Sequence, residues 1–83
     1  MEFKFGTTSI IELGNTISSK LDEDGIKEQS ELYVYLDENE FKKVDEDLFY
    51  RNRKDENEEF VPSDGEIKVK FERVTIIVKE KGV

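Results

Sequence analysis

Apolar residues recur along this chain with two different spacings, and each change of spacing marks a new element. Phe3 and Phe5 alternate with Glu2 and Lys4, the two-residue period of a short half-buried strand that Gly6 ends. From Thr7 the period lengthens: Ile10, Leu13, Ile17 and Leu21 recur at three and four residues and would share one helical face. Ser9 and Glu12 have capping-box spacing, and Asp24-Gly25 would stop the helix with glycine just past its last turn. Gly14 and the threonines count against this helix. The competing reading is strand-turn-strand through Gly14-Asn15.

Leu32, Val34 and Leu36 alternate with Tyr33 and Tyr35, so residues 31–36 read as a strand with apolar character on both faces. That places it centrally in its sheet, with the tyrosines packed against a helix. Asp37 precedes Glu40 by three residues, and Phe41, Val44 and Leu48 follow at helical spacing, predicting a second helix from about Glu38 to Tyr50. Residues 52–59 contain no apolar side chain. They predict a solvated, flexible loop over 52–65 that closes on the turn Pro62-Ser63-Asp64-Gly65. Ile67, Val69 and Phe71, then Val74, Ile76 and Val78, alternate with mostly polar residues on either side of Glu72-Arg73. A two-residue loop there pairs Phe71 with Val74, Val69 with Ile76 and Ile67 with Val78, which gathers all six on one face. Glu72-Arg73 lacks the positive-φ preference of the usual hairpin turns.

The expected fold is therefore one α+β domain spanning 1–83, in the order β-α-β-α-β-β. Two helices cover one face of a small, mostly antiparallel sheet that ends in a C-terminal hairpin. Its length of 83 residues, with 35% hydrophobic, supports a single core and no second domain.

Charge adds an asymmetry that the hydrophobic pattern does not show. The net charge is −8, and residues 22–64 carry sixteen acids against six bases, whereas residues 66–83 carry three acids against five bases. Direct binding to nucleic-acid phosphates is disfavoured. The chain has neither cysteine nor histidine, which removes disulfides, thiolate or imidazole metal sites and the Ser-His and Cys-His nucleophile pairs. The expectation is a non-enzymatic protein without a cofactor. Residues 32–36 and 76–78 are the longest apolar runs, far below the roughly 20 residues that span a bilayer, and the start lacks an export signal. A cytoplasmic protein with no membrane partner is expected.

Four groups of residues carry candidate chemistry. Placing Gly25 at the sixth position of a calcium loop aligns Asp22, Asp24 and Glu31 but puts Lys20 where the first ligand belongs, so a helix stop is the better reading. Asp55 or Asp64 with Glu66 and Lys68 fits a metal-dependent hydrolase in outline, yet Glu-x-Lys also occurs at Glu2 and Glu40, as expected by chance in so charged a chain. Lys68, Lys70, Lys79 and Lys81, with Arg73 at the hairpin tip, form a basic stripe facing away from the core, where it discourages edge-to-edge aggregation. The acidic group is the largest. Asp37, Glu38, Glu40, Asp45, Glu46 and Asp47 surround the second helix, and Asp55, Glu56, Glu58 and Glu59 continue it into the loop.

Carboxylates one helical turn apart lie about 5–6 Å from each other, comparable to neighbouring phosphates, so such a face suits a groove shaped for nucleic acid. In size, acidity and lack of nucleophile pairs, the chain is similar in kind to small inhibitors that phages and mobile elements direct against host nucleases, some of which mimic DNA. That similarity is one of composition and singles out no residue. The reading is a small acidic protein-binding module whose partner is a basic protein surface, including a nucleic-acid-binding protein that it would inhibit. The alternatives are an accessory subunit whose acids only confer solubility, through four-residue pairs such as Lys42 with Glu38 or Glu46 and Arg51 with Asp47, and, further off, the hydrolase. An open hairpin edge also leaves a homodimer open.

Overall fold

A computed structural model describes residues 6–82 of the chain, and the strand expected around Phe3 and Phe5 lies outside them. The described elements are α1 (Thr7–Glu23), β1 (Ser30–Leu36), α2 (Glu38–Asn52), β2 (Glu66–Lys70) and β3 (Val74–Glu80). The class is α+β, as the spacing predicts. Both helices pack on one face of the sheet, where Ile10 of α1 and Phe41 and Val44 of α2 meet Leu36, Ile76 and Val78.

The sheet is mixed rather than mostly antiparallel. Its order is β1-β3-β2, with β3 antiparallel to β2 and parallel to β1. β3, not β1, is the middle strand. Its run Ile76-Ile77-Val78 is apolar on both faces and buried on both, whereas β1 presents Tyr33 and Tyr35 to solvent on the face away from the helices. A strand flanked on both sides loses most of its surface to neighbours, so two-sided apolar character marks the centre, and the amphipathic tyrosines tolerate a wetter place.

The hairpin register follows the alternation, with Ile67 opposite Val78 and Val69 opposite Ile76, and the Phe71 amide donating to the Val74 carbonyl at 2.8 Å. Glu72 and Arg73 adopt no positive φ. Neighbouring elements hold their turn instead. The Arg73 amide donates to Ser18 Oγ at 2.8 Å, the Ser30 amide donates to the Arg73 carbonyl at 3.0 Å, and Gln29 Nε2 donates to the Phe71 carbonyl at 3.3 Å. A turn chemistry unsuited to an isolated hairpin is thus stabilised by contacts distant in sequence.

α1 begins at Thr7, and its N-cap is Gly6 without a side-chain cap, so Ser9 and Glu12 form no capping box. Its end is as expected. Gly25 takes φ 75°, its amide donates to the Asp22 carbonyl and the Ile26 amide donates to the Leu21 carbonyl, the paired bonds of a glycine-terminated helix. The buried face runs through Thr7, Ile10, Gly14 and Ser18, with Leu13, Ile17 and Leu21 half-buried beside it. Small residues at its centre let the helix approach the hairpin closely: a Cβ on Gly14 would overlap the ring of Phe71. The glycine that argues against a helix locally is what this packing requires.

α2 starts where Asp37 predicts, with the Glu40 amide donating to Asp37 Oδ1 at 2.8 Å, and it extends two residues beyond Tyr50.

Candidate functional site

Placed on this fold, the acidic residues around α2 divide by what they touch. Asp37 is the N-cap, and its carboxyl is held below the ordinary aspartate value of 3.8, first by the Glu40 amide, with desolvation opposing. Asp45 turns inward. It is buried, and its carboxylate accepts from both the amide and the hydroxyl of Ser63, each at 2.7 Å. Glu38 pairs with Lys42 at 3.1 Å and Asp47 with Arg51 at 3.2 Å, each one turn away on the same helix. These two follow the solvated-pair expectation, and such exposed pairs contribute little to stability.

The remaining acids form the outward surface. Glu40 is half-buried at the start of α2, and Glu46 is exposed. Every residue from 51 to 59 is exposed, as its composition predicts, yet the segment has internal order. Asp55 Oδ1 accepts from the Asn57 amide at 2.9 Å, the Asp55 carbonyl accepts from the Glu58 amide at 3.1 Å, and Arg53 donates to the Glu56 carbonyl at 3.1 Å. These bonds engage backbone atoms of Glu56 and Glu58. The carboxylates of Glu46, Glu56, Glu58 and Glu59 make no ion pair among the described residues.

Beyond Glu59 the chain returns to the body through contacts that the polar run does not announce. Phe60 packs edge-on against Phe49 at 5.5 Å and lies beside Tyr50, and Arg53 sits over the Tyr50 ring at 4.8 Å. Ser63 then reaches Asp45. The only trace of this anchor in the sequence is Phe60-Val61, an apolar pair directly after the charged stretch. Between the C-terminal half of α2 and this returning segment lies a groove of about 290 Å³, lined by Leu48, Phe49, Val61 and Ile67 and by polar residues that include Arg53 and Glu58.

The opposite surface carries lysines of the expected basic stripe together with Glu31 and Glu66. Lys68 and Lys70 are exposed on the sheet face away from the helices, and Lys79 lies between them and β1, 3.7 Å from Glu66 and 5.7 Å from the centre of the Tyr33 ring. Tyr33 and Tyr35 therefore pack against neither α1 nor α2. Arg73 is not a free charge at the hairpin tip either. Its guanidinium contacts Asp22 at 3.3 Å and folds against the end of α1. Asp22 is thus occupied, while Lys20 lies near Glu23 and Asp24. Glu66 is engaged by Lys79, and among the described residues no three carboxylates converge closely enough to hold a metal ion. No described helix is long and apolar enough to cross a membrane.

Comparison with protein-family models, curated proteins and solved structures finds no match to this chain.

Proposed function

We propose that the protein is a non-enzymatic binding module that docks its acidic loop and the adjoining side of α2 on a basic protein surface. In the sharpest form of this reading, that surface is where the partner binds nucleic acid, and docking blocks it. The observation that carries the proposal is the set of exposed carboxylates of Glu46, Glu56, Glu58 and Glu59, which form no ion pair among the described residues. Acids that serve only helix stability tend to be paired one turn away, as Glu38 and Asp47 are. Charge that is left unmatched attracts cations, steers association and selects against acidic partners.

The contributing residues are fewer than the sequence pattern suggests. Asp37 and Asp45 serve the fold, and Glu38 and Asp47 are shared with their own helix, so the weight shifts from α2 to the loop. The test is capture of partners from the source cell at about 0.1 M salt, where screening acts over about 10 Å. Wild-type protein is compared with the triple variant Glu56→Lys, Glu58→Lys and Glu59→Lys, followed by a salt gradient. The expected result is a nucleic-acid-binding protein that elutes at moderate salt and is absent from the variant. Retention of the same partner by both forms would leave the acids a solubilising role and favour an accessory subunit.

A further inference from the structure

The groove beside the acidic loop narrows the chemistry of the partner. At about 290 Å³ it lies just below the roughly 300–1,000 Å³ of small-molecule sites and has room for an apolar side chain. Its apolar lining comes from Leu48 and Phe49 on α2, Ile67 on β2 and Val61 on the returning segment. Val61 is 74% exposed, the most open of the large apolar side chains in the described structure. A lone exposed valine is ordinary on a protein surface, but one that lines a groove beside Leu48, Phe49 and Ile67, with the polar Asn52, Arg53 and Glu58 around them, resembles half of a contact.

The surrounding charge indicates what would complete it. Glu58 lines the groove and belongs to the loop that also carries Asp55, Glu56 and Glu59, while Arg53, which lines it too, is occupied by the Tyr50 ring and the Glu56 carbonyl. We infer that this groove takes a single apolar side chain projecting from a lysine- or arginine-rich segment of a partner protein. The acidic loop would supply attraction and the groove the anchor, the division between a charged rim and a desolvated centre seen in many interfaces. The inference rests on the acidic-surface reading above and makes it more specific, because charge alone would bind any polycation.

Two capped heptapeptides, each with four lysines around a central leucine or a central glycine, are titrated into the ¹⁵N-labelled full chain at about 0.05 M salt. The leucine peptide is expected to move the amides of Leu48, Phe49, Val61 and Ile67 and to bind about tenfold tighter, the effect of burying a leucine side chain in part. The glycine peptide should move only amides within 53–59. Val61→Ser, at a site too exposed to endanger folding, should bring the leucine peptide down to the level of the glycine peptide. Equal affinities, or shifts confined to the loop with both peptides, would overturn the groove assignment and leave the acidic surface standing. No shift with either peptide would overturn both. Concentration-dependent shifts at the groove without peptide would assign it to a second copy of this chain and also refute the inference.

Discussion

Asp45 and Asp47 stand two positions apart on α2 and use the same carboxylate for different ends. Asp47 reaches Arg51 across an exposed turn, whereas Asp45 is buried and receives two short hydrogen bonds from Ser63. Bonds to a charged acceptor that is shielded from water are worth about 1.5–3 kcal/mol, and exposed one-turn pairs about 0.3–0.5 kcal/mol. Asp45→Ala should therefore lower the unfolding free energy by about 1.5–3 kcal/mol, with faster hydrogen exchange at the Ser63 amide. Asp47→Ala should change it by less than about 0.5 kcal/mol. Urea denaturation of both variants checks the contrast, and equal losses would contradict it. In the sequence the two aspartates look alike, both bordering the stripe of Phe41, Val44 and Leu48. The difference lies in Ser63, which arrives from 18 residues away.

Packing between α1 and the hairpin shows the same conflict between local preference and tertiary demand. Gly14 lowers the helix propensity of α1 by about 1 kcal/mol relative to alanine, so replacement would stabilise an isolated helix. Here the added methyl group would overlap the Phe71 ring. Overpacking of this kind costs about 1–3 kcal/mol, so Gly14→Ala should destabilise the protein on balance. Combined with Phe71→Ala, which removes the ring, the same change should become neutral or stabilising. A double-mutant cycle by thermal or urea unfolding reads this directly. Stabilisation by Gly14→Ala in the wild-type background would show that the helix can withdraw from the hairpin at little cost. Ser18 adds a polar counterpart one turn along, accepting the Arg73 amide in a turn that lacks glycine.

Taken whole, the molecule keeps its unbalanced charge away from the hairpin strands. Residues 22–64 carry sixteen acids against six bases, while Lys68, Lys70 and Lys79 occupy the far side of β2 and β3. At about 0.01 M salt the screening length is about 30 Å, so repulsion within the acidic part acts across a domain this small; at about 0.1 M it falls to about 10 Å. Stability should rise between these two conditions, by a few degrees in Tm, because screening relieves more repulsion than it weakens surface pairs. The triple variant at Glu56, Glu58 and Glu59 should lose most of that response. A Tm that falls with salt would mean that the exposed ion pairs outweigh the excess of acids.

Periodicity gives the second helix, the strand at 31–36 and the hairpin register, and favours the first helix over its strand-turn-strand competitor, because each depends on neighbours a few residues away. The Asp37 cap and the Gly25 stop are equally local, and so is the exposure of residues 51–59. Strand order is not local. β3 inserts between β1 and β2 because its two-sided apolar run gains most from two flanking strands, a comparison that becomes possible only when all three compete for the same place. The candidate surface divides in the same way. The excess of acids belongs to the composition, but Asp45 held by Ser63, Arg73 held by Asp22 and the groove that Val61 helps to line exist only where distant segments meet.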